Sequence, residues 1–494
     1  MRESSHRAKH ADLRHFAQMI IQLRPYQAAD VEKVRDAFRA GKRAVLLQEP
    51  TGAGKTVMFT FIAQAALARG SRILLIAHRR ELITQISQAL TGFVVEHGIT
   101  APGHPRRDLP VQVASKDSLI RRLEGEYDLI IIDEAHHTSR GSGWGKILDH
   151  YGCRVLGVTA TPCRLDGKGL GVSAGGYFDH LICGPSVREL IDLGHLSDFR
   201  VFAPPPGKQV DLSGVKTLAG DYKIEDLEAV VDRPVLTGDV VDHYRRLAGG
   251  MPAIAFAVTV THAHHIAEEF AAAGFQAAAL SGKTGDDDRE RMIRDLGTGA
   301  LHVLASCNVI SEGTDIPRVG CAILMRPTKS LALHFQQVGR GLRQFPGKEF
   351  TVILDHAGNC HRHGLPTDPQ EWTLEGNVKQ RQKRETGPAV KQCPACYAVV
   401  TASTKVCYCG HEFRVEVKAL EVAEGELVEL RPGSAGFPPA EKKRALAAAM
   451  QGIWRLSDLQ AIAKEFGYAP GWAWHQAQRI RGRRSPSVEG CHLQ

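Results

Sequence analysis

Two short runs in the chain bring together the residue types that phosphate chemistry needs. Glu49-Pro-Thr-Gly-Ala-Gly-Lys-Thr56 follows an apolar run and precedes a helical pattern. Glycines let backbone N–H groups approach an anion closely, and the following helix adds the positive end of its dipole. In that context Thr51, Gly52, Ala53 and Gly54 cradle phosphates, Lys55 reaches the β- and γ-phosphates, and Thr56 holds Mg²⁺. The first position, usually glycine, is Glu49. Asp133-Glu-Ala-His136 ends another apolar run and offers two carboxylates. Asp133 suits Mg²⁺ through water, and Glu134 suits orienting and deprotonating an attacking water. The plainer readings are a Gly-rich turn before an ordinary helix and an acidic helix start. The strand-to-helix context weighs against the first, and the second, credible alone, is not so beside a phosphate loop.

Such residues work only if a sheet presents them side by side. Ala44 to Gln48, Ile73 to Ala77, Leu129 to Ile132 and Val155 to Val158 are continuous apolar runs separated by helical patterns. That rhythm predicts parallel strands buried on both faces of an α/β sheet, with carboxylates at its carboxyl edge facing the ligand crevice. The rhythm restarts with Ala253 to Val258, Val303 to Ser306, Ala322 to Met325 and Val352 to Leu354, so two α/β units should flank a cleft. The division expected is a flexible leader (1–20), a first lobe (21–195), a connection (196–235) and a second lobe (236–375). A charged linker (376–392), a cysteine segment (393–413), a further linker (414–440) and a helical basic tail (441–494) follow.

The chain has 494 residues, 43% hydrophobic and 23% charged, with a formal net charge of +8. This is the composition of a globular protein with a sizeable core, and the mild basicity suits a polyanionic partner. No run reaches the roughly 18 apolar residues that a membrane span requires, and the polar N-terminus lacks the apolar core of a secretory signal. A cytoplasmic location is implied, with cysteines reduced, packed or metal-bound.

The order of motifs resembles that of superfamily 2 helicases of the DEAD/DEAH-box, type III restriction group, which include bacterial repair helicases and phage-encoded relatives. Leu23-Arg-Pro-Tyr-Gln27 resembles the adenine-reading motif, with Arg24 and Gln27 as base contacts. Ala77-His-Arg-Arg-Glu-Leu82 and Val113-Ala-Ser-Lys116 resemble strand-contacting motifs. Thr159-Ala-Thr-Pro162 resembles the motif that couples hydrolysis to movement, through His136, Thr159 and Thr161. Ser311-Glu-Gly-Thr-Asp-Ile-Pro317 resembles the second-lobe nucleotide motif, with Gly313 and Asp315 at the nucleotide. Gln336-Gln-Val-Gly-Arg-Gly-Leu-Arg343 resembles the arginine-finger motif, giving Gln336, Arg340 and Arg343 catalytic roles. The resemblance implies an α/β fold of two tandem RecA-like parallel-sheet domains, followed by a zinc-ribbon-like segment and a helical tail. It implies ATP and Mg²⁺ as cofactors, DNA as the track, and single-strand-binding or other repair and replication proteins as candidate partners.

The last motif also makes sense physically. Phosphoryl transfer asks a protein mainly for positioning and positive charge, and arginines three apart on a helix share a face. Gly339 and Gly341 would be poor choices for an ordinary solvated helix, since glycine weakens it. Backbone phosphates give affinity without sequence preference, and Arg79, Arg80, Ser115, Lys116, Thr259 and His262 follow predicted strands as candidate contacts. Competing activities are an RNA remodeller and an ATP-gated clamp with little turnover; the presence of Glu134 and both arginines weighs against the clamp.

Cys393-Pro-Ala-Cys396 and Cys407-Tyr-Cys409 resemble a short zinc ribbon, in which four thiolates around Zn²⁺ fold a segment too small to own a core. The second pair has one intervening residue in place of two, and His411 is an alternative ligand. Asp355-His-Ala-Gly-Asn-Cys-His-Arg-His363 has no zinc spacing and reads as a polar loop. In the tail, Leu456, Leu459, Ile462 and Ala463 recur at helical spacing. This reads either as a small DNA- or partner-docking domain with Arg479 to Arg484 on phosphates or as a mini-core with a solvated basic end.

Overall fold

The computed structural model describes residues 22–164, 168–205, 210–218, 220–231, 240–307, 310, 316–376, 390–413, 456–465 and 473. The chain divides into two units, Met1–Arg414 and Val415–Gln494.

The first unit begins with α1 (Pro25–Arg39), whose proline sits in the first turn where its missing N–H costs nothing. There follow β1 (Ala44–Gln48), α2 (Lys55–Leu67), β2 (Ile73–Ala77), α3 (Arg80–Gly92), β3 (Gly98–Thr100), β4 (Val111–Ser115), α4 (Lys116–Arg121) and β5 (Leu129–Asp133). Next come α5 (Gly143–Tyr151), β6 (Arg154–Thr159), β7 (His180–Cys183) and α6 (Val187–Asp192). The seven strands form one parallel sheet in the order β3-β4-β2-β5-β6-β1-β7. β1, β2 and β5 are buried along their whole length, as continuous apolar runs require. β5, β6 and β1 are adjacent, so three chemistry-bearing runs leave the sheet at one edge. Gln48 pairs with Thr159, and Asp133 pairs with Val158.

The second sheet starts earlier than the sequence rhythm suggests. β8 (Asp198–Phe202) lies inside the stretch expected to be a connection, yet it pairs in parallel with the last strand of the second lobe. Its buried residues, Phe199 and Val201, alternate with half-exposed neighbours, the two-residue period of a strand with one face inward. A small hairpin of β9 (Thr217–Leu218) and β10 (Asp221–Tyr222) and helix α7 (Ile224–Val231) follow. β11 (Ala253–Phe256), α8 (Val260–Ala272), β12 (Ala277–Leu280), α9 (Asp286–Thr298), β13 (Val303–Ser306), β14 (Cys321–Leu324), α10 (Leu331–Gly341), β15 (Phe350–Asp355) and α11 (Asn359–His363) complete the second lobe.

β16 (Val390–Gln392) and β17 (Ala398–Thr401) extend this sheet to the order β12-β13-β11-β14-β15-β8-β17-β16. The two added strands run antiparallel, with β17 on β8. The cysteine segment therefore covers an edge that would otherwise offer unpaired backbone groups, and β16 falls in the stretch expected to be a linker. After the second lobe the chain returns to the first: Gly171 N–H donates to Leu374 O at 2.8 Å. Of the second unit, α12 (Leu456–Glu465) is described, with Leu459, Ile462 and Ala463 buried at the expected spacing; the leader, the linker 414–440 and Arg479 to Arg484 lie outside the described residues. Among the described residues no helix is long and apolar enough to cross a membrane.

Candidate active site

The phosphate loop links β1 to α2, and its glycines are conformationally required. Gly52 and Gly54 have φ of +89° and +85°, a region that residues with a Cβ adopt at a cost. α1 braces the loop: Gln27 Nε2 and the Tyr26 hydroxyl donate to Ala53 O at 2.9 and 2.6 Å. Gln27 Oε1 in turn accepts the Arg24 N–H at 3.0 Å. The sequence reading assigns Gln27 to a base; the structure makes it first a brace of the loop, and adds Tyr26 to that brace. Arg24 stays exposed beside it.

Lys55 opens α2 and its Nζ lies 3.4 Å from Glu49 O, with Thr56 next to it. The Glu49 side chain is wholly buried. Burial, with the carboxylate of Asp30 beside it, pushes its carboxyl up to about 9, so Glu49 is neutral at physiological pH.

Asp133 ends β5 and accepts the Glu134 N–H on Oδ1 at 2.9 Å. Glu134 has φ of +49°. Non-glycine residues in that region are strained, and such strain concentrates at functional sites. Glu134 Oε2 is 3.4 Å from His136 Nδ1, which is also 2.9 Å from Thr159 Oγ1. Thr159 Oγ1 accepts the Thr161 N–H at 3.2 Å. The acidic run and the threonine run are thus joined side chain to side chain through His136.

α10 approaches the phosphate loop and carries Gln336 and Arg340, and Arg343 follows two residues beyond its end. A Cβ placed on Gly339 would lie 2.5 Å from Thr51 Cβ, and one on Gly52 would lie 3.6 Å from Arg343 Cγ. The glycine that looked odd for a solvated helix is where the second lobe touches the loop. Gly341 is needed for a different reason: its Cβ would lie 2.6 Å from Thr351 Cγ2. Arg343 is held in a bridge with Leu196, and Ser197 N–H donates to Leu342 O at 2.7 Å. Gln336 and Arg340 are buried. Gly313 and Asp315 lie outside the described residues.

The track candidates separate into two kinds. Arg79 is half-buried at the start of α3, while Arg80 is exposed and pairs with Asp286 of the second lobe at 2.7 Å. Lys116 pairs with its neighbour Asp117 at 3.0 Å. The hydroxyls of Ser115 and Thr259 cap α4 and α8, accepting the N–H groups of Ser118 and His262 at 3.1 Å. His262 corrects the sequence reading: it is fully buried, and its Nδ1 accepts the Val258 N–H at 3.3 Å. It fixes the β11–α8 turn from inside and is not placed to meet a track phosphate. The polar loop at Asp355 likewise turns inward, where Asp355 accepts the N–H groups of Asn359 and Cys360.

The four sulfurs of Cys393, Cys396, Cys407 and Cys409 lie within 4.8 Å of one another. Cys393 to Cys409 is 3.7 Å and Cys396 to Cys407 is 3.5 Å. Sulfurs 2.3 Å from a tetrahedral Zn²⁺ would be about 3.8 Å apart, so the set fits zinc. Cys409 belongs to it despite the short spacing, and the ring of His411 packs on Phe413. Tyr397 and Gly410, with φ of 63° and 85°, turn the chain just after each cysteine pair.

Residues 20–164 match the family described as type III restriction enzyme, res subunit, and residues 239–344 match the helicase conserved C-terminal domain. A 51.5 kDa protein of Lactococcus phage (isolate 7-9) is 33% identical over 78% of this chain and 84% of its own length. A Saccharomyces cerevisiae protein assigned as the ATP-dependent helicase IRC3 is 28% identical over 68% of this chain and 51% of its own length. Among solved structures, a fragment assigned as an HsdR subunit of a type I restriction enzyme from Vibrio vulnificus YJ016 superposes with a TM-score of 0.54 at 22% identity. That likeness covers 69% of this chain and 65% of the other, and it speaks to the fold of two RecA-like lobes. With both halves of the motor matched in order along one chain, this protein belongs to the superfamily 2 helicases of the type III restriction helicase type.

Proposed function

We propose that the chain is an ATP-dependent DNA helicase or translocase, in which Mg·ATP hydrolysis between the two lobes drives movement along nucleic acid. The observation that carries this reading is the approach of α10 to the phosphate loop, with Gly339 against Thr51 and Arg343 beside Gly52. In this reading the loop amides and Lys55 bind the phosphates, Thr56 and Asp133 hold Mg²⁺, and Arg24 meets the base. Mg²⁺, when bound, neutralises charge developing on the phosphates. Glu134 orients and deprotonates the attacking water. Arg340 on α10 and Arg343 just beyond its end place positive charge on the γ-phosphate, with Gln336 on the same helix as Arg340, so turnover requires the lobes to be closed. The contact between His136 and Thr159 gives hydrolysis a mechanical outlet, because the His136 ring links the carboxylate that handles water to the run that reports on it.

The four cysteines hold a structural Zn²⁺, and Arg79, Arg80 and Lys116 grip backbone phosphates. The test is phosphate release with no nucleic acid, with DNA and with RNA, using Glu134→Gln as the control. Strong stimulation by DNA, absent in the variant, is expected. Equal rates in all three conditions would remove the motor reading, and stimulation by RNA alone would make the chain an RNA remodeller.

A further inference from the structure

Lys348 belongs to none of the motifs above, yet it holds two of them together. It follows Gly347, whose φ of +81° lets the turn Phe345–Lys348 reverse tightly. The lysine side chain then runs back beneath the end of α10. Its Nζ donates to Gly341 O at 2.8 Å, to Val319 O at 3.1 Å and to Pro317 O at 3.3 Å. Gly341 closes the arginine-bearing helix, and Pro317 closes the second-lobe nucleotide run. An ammonium has three donors and no acceptor, so three carbonyls saturate it. Carbonyls at a helix C-terminus lack partners within the helix and carry partial negative charge, which makes a cation there favourable.

We infer that Lys348 is a positioning residue for catalysis, clamping the last turn of α10 to the 317–319 segment so that Arg343 is aimed at the phosphate loop. It touches no nucleotide itself. Its partners explain why Arg343 can be held outside the helix proper. The carbonyl of Gly341 is fixed by Lys348 and by Thr351 Oγ1 at 2.6 Å. The next two residues are fixed by Ser197 and Leu196, just before β8. Desolvation and the neighbouring Arg343 lower the Lys348 ammonium to about 8. A cation kept beside another cation is tolerated here because the three carbonyls compensate it.

The inference rests on the motor reading, and its test separates the two. Phosphate release by the full chain is measured for wild type, Lys348→Met, Arg343→Ala and the double variant. Lys348→Met is expected to lower kcat about tenfold while KM for ATP stays within about twofold, and to cost nothing further once Arg343 is absent. Equal losses in both backgrounds, or an unchanged kcat, would overturn the clamp, because residues that act independently have additive effects. If thermal melting shows that Lys348→Met does not fold, Lys348→Arg carries the same cycle, since a planar guanidinium cannot gather three carbonyls around one point. A wild type that DNA does not stimulate would sink the motor reading while leaving this cycle legible on the basal rate.

Discussion

Glu49 stands where such loops usually begin with glycine, and its burial gives it a testable titration. Its carboxyl is raised from an ordinary 4.5 to about 9, first by desolvation and then by Asp30. The folded chain therefore keeps a proton that the unfolded chain releases, and stability falls as pH rises from about 4.5 towards 9. Glu49→Gln, a neutral side chain of nearly the same shape, should melt at the same temperature as wild type near pH 4.5. It should melt several degrees higher at pH 8, as thermal melts across that range would register. Identical melting curves at both values would mean the carboxylate is ionised and compensated in the fold. Glu134 has the opposite duty. Glu134→Gln should keep ATP affinity and lose phosphate release by about 10²–10⁴-fold, the usual worth of a positioned base, and equilibrium nucleotide binding beside single-turnover hydrolysis would separate the two.

At the scale of elements, the close approach of α10 to the loop depends on a missing side chain. Gly339→Ala puts a methyl 2.5 Å from Thr51 Cβ, so the lobes must part by about a van der Waals increment. The expected outcome is a fall of roughly tenfold or more in DNA-stimulated kcat with little change in melting temperature, since a 1 Å misplacement is enough to cost that. The cysteine segment makes a separate prediction. One Zn²⁺ per chain should be found by metal analysis, and Cys393→Ser should lose it. That loss should also lower the melting temperature, because β17 would come away from β8 and leave the sheet edge bare.

Much of this was legible in the sequence for a local reason. Phosphate loops, acidic strand ends and paired cysteines each keep their chemistry within a few consecutive residues. β8 was not legible as part of the second sheet, because its partner β15 is about 150 residues away and nothing local announces the pairing. Lys348 was invisible for a similar reason: all three of its partners are backbone carbonyls, which leave no mark on residue type. His262 was misplaced because a strand-to-helix turn tells where a residue sits and not which way its ring points.

At the scale of the whole molecule, the described residues of the two lobes also meet away from the loop. Arg80 pairs with Asp286, Glu81 pairs with Arg289, and the chain returns to the first lobe at Leu374. The Arg80–Asp286 pair is largely exposed, and pairs of that kind contribute little to stability. Asp286→Asn should therefore leave the melting temperature unchanged while freeing Arg80 for phosphate. The expected result is tighter DNA binding with a steeper dependence on salt, read by fluorescence anisotropy at several ionic strengths.

The claim on which the rest depends is that the second lobe completes the site built on the first. Single-turnover phosphate release at saturating DNA, comparing Arg343→Ala with wild type, tests it most directly. An arginine supplied across a closing cleft is worth about 10³-fold or more in rate. The variant should bind ATP normally and hydrolyse it slower by about that factor. Hydrolysis at the wild-type rate by Arg343→Ala would contradict the account, because the arginine that lies beside Gly52 would then contribute nothing to the reaction.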